Sequence, residues 1–455
     1  MRNRKTLATV ALFAVMVVIA AACGDDEGAT PTPTGAVTTT GGVAAGCPDT
    51  EFGCVTVAAG DPINIGALLT ITGATATLGQ PTLNGISLAI DHLDGKFDGV
   101  VGKLLDHNVK VTVGDETDPT SGQCGKAGGQ TAATKLAADP SIVAVIGTNC
   151  SSSALGVADT ILGGKGIVLV SPSNTSARLT TEAEHNAFYF RTAQNDAIQA
   201  KVVADFVYKE LGITSAATMN DGGPYTSGLT GGFAQFFTAL GGTITADEAF
   251  DPTLEDFRPL LTSIAQGSPG LIYFPNFNPP CALISIQAQE IPELAGVKLM
   301  GSDGCNDATF IDTAKDAADG VYLSSPIASP GAAAALFDEL KDAYDSQYGT
   351  PASAFWPNAF DAFSIIKQSI EKVAVQQDDG SLLIPRTALK DAMYEVKDFE
   401  GVTGPLTCIS TGDCQSQVAV NIGVYIGPET PYNPATPDAE AIYSEKFTLT
   451  EALGA

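Results

Sequence analysis

Two loops rich in hydroxyl groups are the first candidates for a binding site. Residues 147–153 (GTNCSSS) follow a continuous apolar run, and residues 171–176 (SPSNTS) follow the next apolar run along the chain. Hydroxyl groups and free backbone N–H groups at the start of a helix can bind an anion such as a carboxylate. Helix capping and turn formation use the same residue types. The composition of the two loops therefore leaves both interpretations open.

The same serines could act as nucleophiles only if a base lay beside one of them. No G-x-S-x-G motif surrounds Ser151, Ser152 or Ser153, and the nearest downstream histidine, His185, lies in a polar stretch typical of a surface loop. The sequence also has no Walker phosphate loop and no G-x-G-x-x-G after the first predicted strand. An enzyme is therefore disfavoured, and we expect no cofactor.

The nine cysteines indicate an exported, disulfide-bonded protein. Without Cys23, eight remain, which is an even number, as expected for paired cysteines in a secreted chain. Many pairings are possible, and joining sequence neighbours predicts four of them: Cys47–Cys54, Cys124–Cys150, Cys281–Cys305 and Cys408–Cys414. A structural metal site would favour clustered C-x-x-C pairs, which the sequence lacks. We therefore expect no bound metal.

Residues 1–22 have the pattern of a secretory signal peptide. Three basic residues precede an apolar run over residues 7–22, which is shorter than the about 20 residues of a membrane span. Cys23 follows three alanines, as in a bacterial lipobox, so we expect its thiol to be acylated; cleavage without lipidation is the alternative. Residues 23–46 lack Leu, Ile and aromatic residues and are predicted to form a flexible tether. The expected location is lipid-anchored at the outer face of the cytoplasmic membrane or in the periplasm.

Composition limits the classes of partner. The chain has 455 residues, with 51 acidic residues against 23 basic ones and a formal net charge of −28. Such a chain is repelled by polyphosphate, so a nucleic-acid partner is disfavoured. The hydrophobic content of 44% against 16% charged residues indicates a folded chain. At roughly 150 residues per domain, two to three domains are expected.

Strand and helix patterns alternate from residue 62 onward. Strands are predicted over 63–69, 110–114, 142–146, 167–170, 215–219, 243–250, 270–274, 297–300, 321–324 and 418–426. Helices are predicted over 81–93, 120–138, 152–162, 196–211, 225–240, 257–266, 281–290, 332–348, 355–375 and 387–394, with Pro81 as the first residue of its helix. Two series of strand–helix units predict an α/β protein with two lobes, each with a parallel sheet. Ligands of such folds bind beyond the carboxyl ends of the strands.

Four stretches, taken in order and spacing, resemble one family. They are residues 65–73 (IGALLTITG), 118–151, 171–196 and 299–304 (LMGSDG). The set resembles the type I periplasmic-type solute-binding proteins of ABC transporters, in the branched-chain amino acid (Leu/Ile/Val) binding group and its lipoprotein form. The resemblance implies two Rossmann-like lobes joined by a three-segment hinge. Residues 47–191 and 327–398 would form lobe 1, and residues 192–326 and 399–455 would form lobe 2.

The resemblance also implies a ligand site between the lobes, formed by Leu78, Ser151, Ser173, Thr175, Tyr225, Phe277 and Asp303. Ser151, Ser173 and Thr175 would bind the carboxylate of an amino acid. Asp303 would bind its ammonium, at a place where the family more often has Glu. The other three residues would form the walls. The family often has a disulfide at the places of Cys124 and Cys150, which supports that pair.

These features imply an extracytoplasmic binding protein of an ABC importer. It would act as a monomer, close around an amino acid or an amino-acid-like molecule, and deliver it to a membrane permease. The alternative is a ligand-sensing receptor of the same fold, which would bind amides or short peptides and act on a signalling partner. A secreted hydrolase is the least favoured class, because no base is expected near Ser151 or Ser173.

Overall fold

The computed structural model describes residues 46–415, 417–424 and 441–453. The predicted signal peptide, Cys23 and all but the last residue of the predicted tether lie outside the described residues, as do residues 425 and 426 of the last predicted strand. Within the described part of the chain, no helix combines the length and the apolar character that a bilayer span requires. The fold is α/β, and every predicted strand and helix has a counterpart in it.

The strands are numbered in chain order. They are β1 (Cys54–Val57), β2 (Ile63–Leu69), β3 (Lys103–Leu104), β4 (His107–Asp115), β5 (Ile142–Gly147), β6 (Val168–Ser171), β7 (Tyr189–Arg191), β8 (Ser215–Asn220), β9 (Thr243–Ala249), β10 (Leu271–Tyr273), β11 (Lys298–Gly301), β12 (Tyr322–Ile327), β13 (Val375–Gln376), β14 (Leu382–Pro385), β15 (Phe399–Gly401), β16 (Gly404–Leu406), β17 (Gln417–Val424) and β18 (Ala441–Thr448).

The helices are numbered in the same way. They are α1 (Ala76–Asp91), α2 (Lys126–Ala138), α3 (Ser151–Val157), α4 (Asp196–Asp205), α5 (Thr226–Ala239), α6 (Arg258–Ala265), α7 (Pro280–Ala288), α8 (Ala308–Ala314), α9 (Ala334–Tyr348), α10 (Trp356–Val373), α11 (Arg386–Tyr394) and α12 (Leu449–Leu453). Helices α3 and α4 continue as short π-helical segments, Ala158–Leu162 and Phe206–Glu210.

Two sheets form the centres of two lobes. The first lobe contains a six-stranded sheet in the order β3-β4-β2-β5-β6-β7, parallel except for β3. The second lobe contains a seven-stranded sheet in the order β18-β17-β12-β11-β10-β8-β9, in which β17 runs antiparallel to both of its neighbours, β12 and β18. Strands β2 and β5 are buried along their whole length. Parallel strands covered on both faces have no polar side, which is why they are continuous apolar runs in the sequence.

The chain crosses between the sheets three times. It leaves the first sheet after β7, returns after β12 to form α9, α10 and α11, and crosses again before β17. Helix α10 packs on α1 in the first lobe, and α4 packs on α5 in the second. Val402 and Leu406 pack into the core of the first lobe, although the predicted boundary assigns residues from 399 onward to the second.

Two predicted helix starts are wrong. Helix α1 begins at Ala76, so Pro81 lies inside it rather than at its first position. Its first turn lies against the end of β2, where a Cβ on Gly79 would be 1.9 Å from the Thr70 carbonyl oxygen. This turn therefore lacks the apolar stripe that marks the rest of the helix.

Helix α2 begins at Lys126 rather than Thr120. Residues 118–123 form a turn in which the Asp118 backbone N–H donates to the Gln123 carbonyl at 2.7 Å. The Asp118 carboxylate also accepts from the Thr120 backbone N–H at 2.8 Å. Side chains of Asp that bond to nearby backbone groups compete with helix formation, and here they delay the start of α2.

The structure contains all four disulfides that join sequence neighbours. They are Cys47–Cys54, Cys124–Cys150, Cys281–Cys305 and Cys408–Cys414. The bridge between Cys124 and Cys150 connects the turn before α2 to the loop before α3. It therefore fixes one of the two hydroxyl-rich loops to its neighbour.

Helices α1 and α10 lie in close backbone contact at Gly85. A Cβ on this residue would lie 2.1 Å from the carbonyl oxygen of Trp356, at the start of α10. Trp356 is itself buried and its ring centroid lies 4.6 Å from that of Tyr344. No side chain fits between the two backbones, so this contact requires glycine.

We predict that Gly85→Ala lowers the free energy of unfolding by about 1–3 kcal/mol, because the added methyl group must push the helices apart. Gly231→Ala is the matched control, since Gly231 is exposed in α5 and a Cβ there would meet nothing within 4 Å. The control should be neutral or raise stability by about 0.5–1 kcal/mol. Urea unfolding measures both. A Gly85→Ala midpoint equal to that of the wild type would show that the helix contact adapts.

Candidate functional site

Six of the seven predicted site residues line one cavity between the lobes. The lining residues are Leu78, Asn149, Ser151, Ser173, Tyr225, Phe277, Asp303, Gly304 and Phe355. The free volume of this cavity is about 10 Å³, so its side chains leave little open space in this arrangement. A larger cavity of about 190 Å³ shares Ser151, Tyr225 and Phe277 as wall residues.

The strand order brings these residues together. In the first lobe, Leu78 lies in the helix after β2, while Ser151 and Ser173 follow β5 and β6. In the second lobe, Tyr225 follows β8, Phe277 follows β10 and Asp303 follows β11. Parallel strands have their carboxyl ends at one edge of a sheet. The two edges face the same cavity, so residues distant in sequence become neighbours.

Asn149 organises the polar wall of the first lobe. Its Oδ1 accepts from the Thr70 backbone N–H at 2.9 Å, and its Nδ2 donates to Thr82 Oγ1 and Ser173 Oγ at 3.2 and 3.1 Å. The Ser173 hydroxyl donates in turn to the Asn149 carbonyl at 3.2 Å. Ser173 thus lines the cavity with its hydroxyl hydrogen already engaged.

Ser151 keeps a hydroxyl hydrogen for a ligand. It is the first residue of α3, and its Oγ accepts from the Ser176 backbone N–H at 3.2 Å. That contact uses the oxygen as an acceptor and leaves the O–H as a donor. Ser151 is therefore the hydroxyl of this wall best able to donate to a carboxylate.

The buried carboxyl group of Glu116 occupies backbone N–H groups of residues 147–153 that could otherwise bind an anion. Its Oε1 accepts from the backbone N–H groups of Asn149 and Cys150 at 2.6 and 3.2 Å. Burial raises the pKa of Glu116 to about 8. The backbone N–H groups of Asn149 and Cys150 are therefore not free to bind a ligand anion. Glu116 directly follows β4, and that position was the available signal for it.

Asp303 is the acidic residue of the second-lobe wall. Its Oδ1 accepts from Gln199 Nε2 at 2.7 Å and from the Tyr225 hydroxyl at 3.1 Å. Among the described residues, Oδ2 receives no such bond, which leaves it for a ligand. Burial raises the pKa of Asp303 to about 6, against the lowering effect of these two donors. The carboxyl group therefore changes charge close to neutral pH.

The aromatic walls are positioned by the same network. The Tyr225 hydroxyl lies 2.7 Å from Ser302 Oγ and accepts from the Gly304 backbone N–H at 3.1 Å. The rings of Tyr225 and Phe277 lie 5.2 Å apart. Phe355, which is not among the predicted site residues, lines the first-lobe side. It precedes α10, far along the chain from the other first-lobe residues, and no local motif marks it.

Thr175 is the predicted site residue that the structure does not place in the cavity wall. It is 1% exposed, and its carbonyl accepts from the Asp196 backbone N–H at 2.9 Å. Burial raises the pKa of Asp196 well above its usual range, and the nearby Thr175 hydroxyl opposes that rise, although the two side chains form no hydrogen bond of ordinary geometry. Thr175 thus lies one layer behind the cavity, next to a second acidic residue.

Among the residues that the structure describes, two hydrogen bonds join the lobes beside the cavity. Thr77 Oγ1 donates to Asp307 Oδ2 at 2.8 Å, and Ser176 Oγ donates to the Pro224 carbonyl at 2.9 Å. Both cross from a loop or helix start of the first lobe to one of the second. They belong to the closed arrangement of the two lobes.

No group of three or more His, Cys, Asp or Glu residues in the described ranges could hold a metal ion. The site therefore offers hydrogen-bond donors, one carboxyl group and apolar walls to a small molecule. This arrangement suits binding of an ammonium and a carboxylate at opposite ends of one ligand.

Comparison with known proteins shows which family the sequence matches. The sequence model of a family described as periplasmic binding protein matches residues 62–421. A Leu/Ile/Val-binding protein of Rhizobium johnstonii, BraC3, is 31% identical over 359 residues, which cover 78% of this chain and 89% of that protein.

Two solved structures share the fold. A leucine-binding protein, LivK, from Thermotoga maritima has a TM-score of 0.68 at 23% identity, and the match covers 81% of this chain and 99% of that one. LivJ from Streptococcus pneumoniae, solved with isoleucine, has a TM-score of 0.67 at 22% identity, covering 85% and 99%.

We predict that the ligand-free protein loses stability as the pH rises from about 5 to about 8. The folded pKa of Glu116 is raised from 4.5 to about 8 and that of Asp303 from 3.8 to about 6, so the native state holds protons that the unfolded chain has released. Each such proton contributes a slope of up to about 1.4 kcal/mol per pH unit. Urea unfolding across this range measures the slope.

Glu116→Gln should flatten the slope, because the amide oxygen still accepts from the loop N–H groups and no longer ionises. The variant should match the wild type near pH 5 and exceed its stability at pH 8. Glu182→Gln, at an exposed position, is the control and should follow the wild type. A Glu116→Gln profile parallel to the wild type would show that Glu116 does not titrate in this range.

Proposed function

Because the chain belongs to the periplasmic binding protein family, and within it to the branched-chain amino acid group of transporter binding proteins, we propose that it binds an amino acid or a close analogue between its lobes and delivers it to the permease of an ABC importer. Proteins of this group are binding proteins rather than enzymes and act outside the cytoplasm.

The observation that carries the proposal is the pairing of opposite chemistry across one cavity. Ser151 presents a hydroxyl donor from the first lobe, and Asp303 presents a free carboxylate oxygen from the second. An α-amino acid carries the complementary pair of charges on one carbon. Leu78, Phe277 and Phe355 supply apolar surface for its side chain. The names of the relatives, a Leu/Ile/Val-binding protein and an isoleucine complex, support an apolar side chain.

Closure of the lobes would couple binding to transport. Each lobe supplies part of the site, so the ligand contacts both only in the closed arrangement. A ligand shifts such an equilibrium by its differential affinity for the two states. The hydrogen bonds between Thr77 and Asp307 and between Ser176 and Pro224 would further stabilise the closed arrangement. The permease would then recognise the closed form.

The receptor alternative differs in the ligand that it requires. An amide or a short peptide bound through neutral groups would not need the charge of Asp303. The cavity provides that charge next to an apolar wall, which favours a free amino acid. We therefore propose transport as the function, and the titration of Asp303→Asn described below would reveal a neutral ligand.

Export and anchoring complete the proposal. Residues 1–22 would be removed as a signal peptide, Cys23 would become the acylated N-terminus, and residues 23–46 would tether the folded part to the membrane surface. A monomer on such a tether could reach a permease in the same membrane. The basic start, the apolar run and the alanines before Cys23 support this assignment.

Cys23→Ala should release the protein from the membrane, because the thiol that carries the lipid is absent. Wild-type protein expressed with its full N-terminus should partition into the detergent phase in a phase-separation assay, and the variant into the aqueous phase. Equal partitioning of the two would contradict lipidation. The result does not depend on the ligand, so it tests the anchor alone.

Asp303→Asn should weaken amino-acid binding by about 30-fold or more, since it removes one charge of a buried pair. Calorimetric titration with a panel of L-amino acids measures the loss. Wild-type affinity should also fall as the pH drops below about 6, where Asp303 gains a proton, and the variant should lack this dependence.

Asp312→Asn, at an exposed position in α8, is the control and should bind as the wild type does. If the Asp303→Asn protein bound the best ligand as tightly as the wild type at all pH values, the ammonium would not be bound at Asp303. The receptor alternative with a neutral ligand would then be favoured.

A further inference from the structure

We propose that the ligand has a long side chain that ends in an N–H donor, and that Gln123 and Asp221 bind this end in the larger of the two cavities between the lobes. This larger cavity, which shares Ser151, Tyr225 and Phe277 with the smaller one, is called the distal cavity below. The proposal rests on the proposed function and deepens it, because it names the class of amino acid. Glutamine, with an amide at the end of its side chain, and lysine, with an amine, belong to this class.

The free space between the lobes lies mostly in the distal cavity. Its free volume is about 190 Å³, against about 10 Å³ in the cavity that Asp303 lines. An amino acid held by Ser151 and Asp303 therefore finds room for its side chain in the distal cavity. The rings of Tyr225 and Phe277 would contact the first carbons of this side chain, because they belong to the walls of both cavities.

Both lobes form the wall of the distal cavity. The first lobe contributes the loop between β4 and α2 and the start of α3, and the second contributes the loops after β8 and β9. Strand β4 is the neighbour of β2 in the first sheet, and β9 is the neighbour of β8 in the second. A side chain that fills this cavity therefore contacts both lobes, and its binding favours the closed arrangement in the same way as the contacts of Ser151 and Asp303.

The side-chain amide of Gln123 is buried in this wall without a partner. Gln123 is 8% exposed, and its amide forms no hydrogen bond in the part of the chain that the structure describes. Its backbone is fixed, since the N–H donates to Ser121 Oγ at 3.3 Å and the carbonyl accepts from the Asp118 N–H at 2.7 Å. The next residue, Cys124, is joined to Cys150 by a disulfide. A buried amide without a partner, held in place on a cavity wall, calls for a ligand group.

Asp221 provides a second acceptor from the opposite lobe. Its Oδ1 accepts from the Gly223 backbone N–H at 2.8 Å and from the Thr226 hydroxyl, which are the bonds that hold the loop after β8. Its Oδ2 takes part in no hydrogen bond among the described residues. The charge of Asp221 is not matched by any Lys, Arg or His among the described residues of this wall. The cavity therefore favours a neutral or positively charged end of a side chain and repels a carboxylate.

The oxygens of Gln123 and Asp221 are both acceptors, so the group that satisfies them is an N–H donor. An amide nitrogen carries two hydrogens and an ammonium carries three, which is enough for both residues. The side chains of leucine, isoleucine and valine end in methyl groups and would leave the two residues unpaired. Sites with buried polar groups discriminate strongly against a ligand that cannot pair with them. The distal cavity thus distinguishes ligands at the end of the side chain, where the smaller cavity makes no contact.

The test begins with calorimetric titration of the wild type with five L-amino acids. Glutamine and lysine have the proposed N–H donor, glutamate has the length of glutamine with a carboxylate, and norleucine has the straight carbon chain of lysine without the amine. Leucine represents the branched-chain ligands. Glutamine or lysine should bind most tightly, at least about tenfold more tightly than norleucine, in line with a hydrogen bond to a charged group. Glutamate should bind more weakly than glutamine.

Two substitutions then assign the selectivity to the distal cavity. Gln123→Leu keeps the approximate size of the side chain and removes the amide, and Asp221→Asn keeps the oxygen that bonds to the loop and removes the charge. Each should lower the affinity for the best ligand relative to norleucine by about fivefold or more. Gln266→Leu, at an exposed position after α6, and Asp312→Asn, at an exposed position in α8, are the controls and should keep the wild-type ratio. A residue with only a structural role would lower the melting temperature and weaken all ligands by the same factor.

Three results would overturn the proposal and leave the proposed function standing. One is a wild type that binds leucine or norleucine more tightly than both glutamine and lysine. Another is a wild type that binds glutamate best. The third is an unchanged ratio of affinities in both Gln123→Leu and Asp221→Asn. A wild type that binds no amino acid would instead refute the proposed function, and this proposal with it.

Discussion

The direction of the strands is the constraint on which the site depends. Both sheets are largely parallel, so the residues that follow β2, β5 and β6 collect at one edge and those that follow β8, β10 and β11 at another. The three chain crossings between the lobes place these two edges opposite each other. Once that arrangement exists, the side chains at the edges decide the chemistry, and the helices behind them hold the edges in place. The close contact of α1 with α10 at Gly85 is one such support.

The same constraint explains how much of the site could be predicted from the sequence. Tyr225, Phe277 and Asp303 could be placed through the family resemblance, and each lies within five residues of the end of a strand. Phe355 could not, since it reaches the cavity only through the packing of α10 on α1. The fold class followed from strand–helix alternation, whereas the starts of α1 and α2 did not, because their first turns respond to neighbouring backbone rather than to the apolar stripe.

Buried carboxyl groups give the site a cost in stability. Glu116, Asp196 and Asp303 all lie away from water with raised pKa values, and none of them forms an ion pair in the described ranges. A core built only for stability would not contain such groups. Glu116 bonds to the loop that carries Ser151, while Asp303 lines the cavity of the proposed ligand. Buried carboxyl groups that lower stability are expected at a ligand-binding site, where function takes precedence over stable packing.

The three crossings also set the order in which the chain can fold. Helices α9, α10 and α11 complete the core of the first lobe, yet they are synthesised after most strands of the second sheet. The last two strands of that sheet come later still. Neither lobe is complete until nearly the whole chain is available, so contacts between residues far apart in sequence dominate, and such topologies fold slowly. Truncation at the end of β12 would leave the first lobe with α1 exposed. A chain that stays unfolded until it is nearly complete is also one that can be threaded through a membrane pore before it folds.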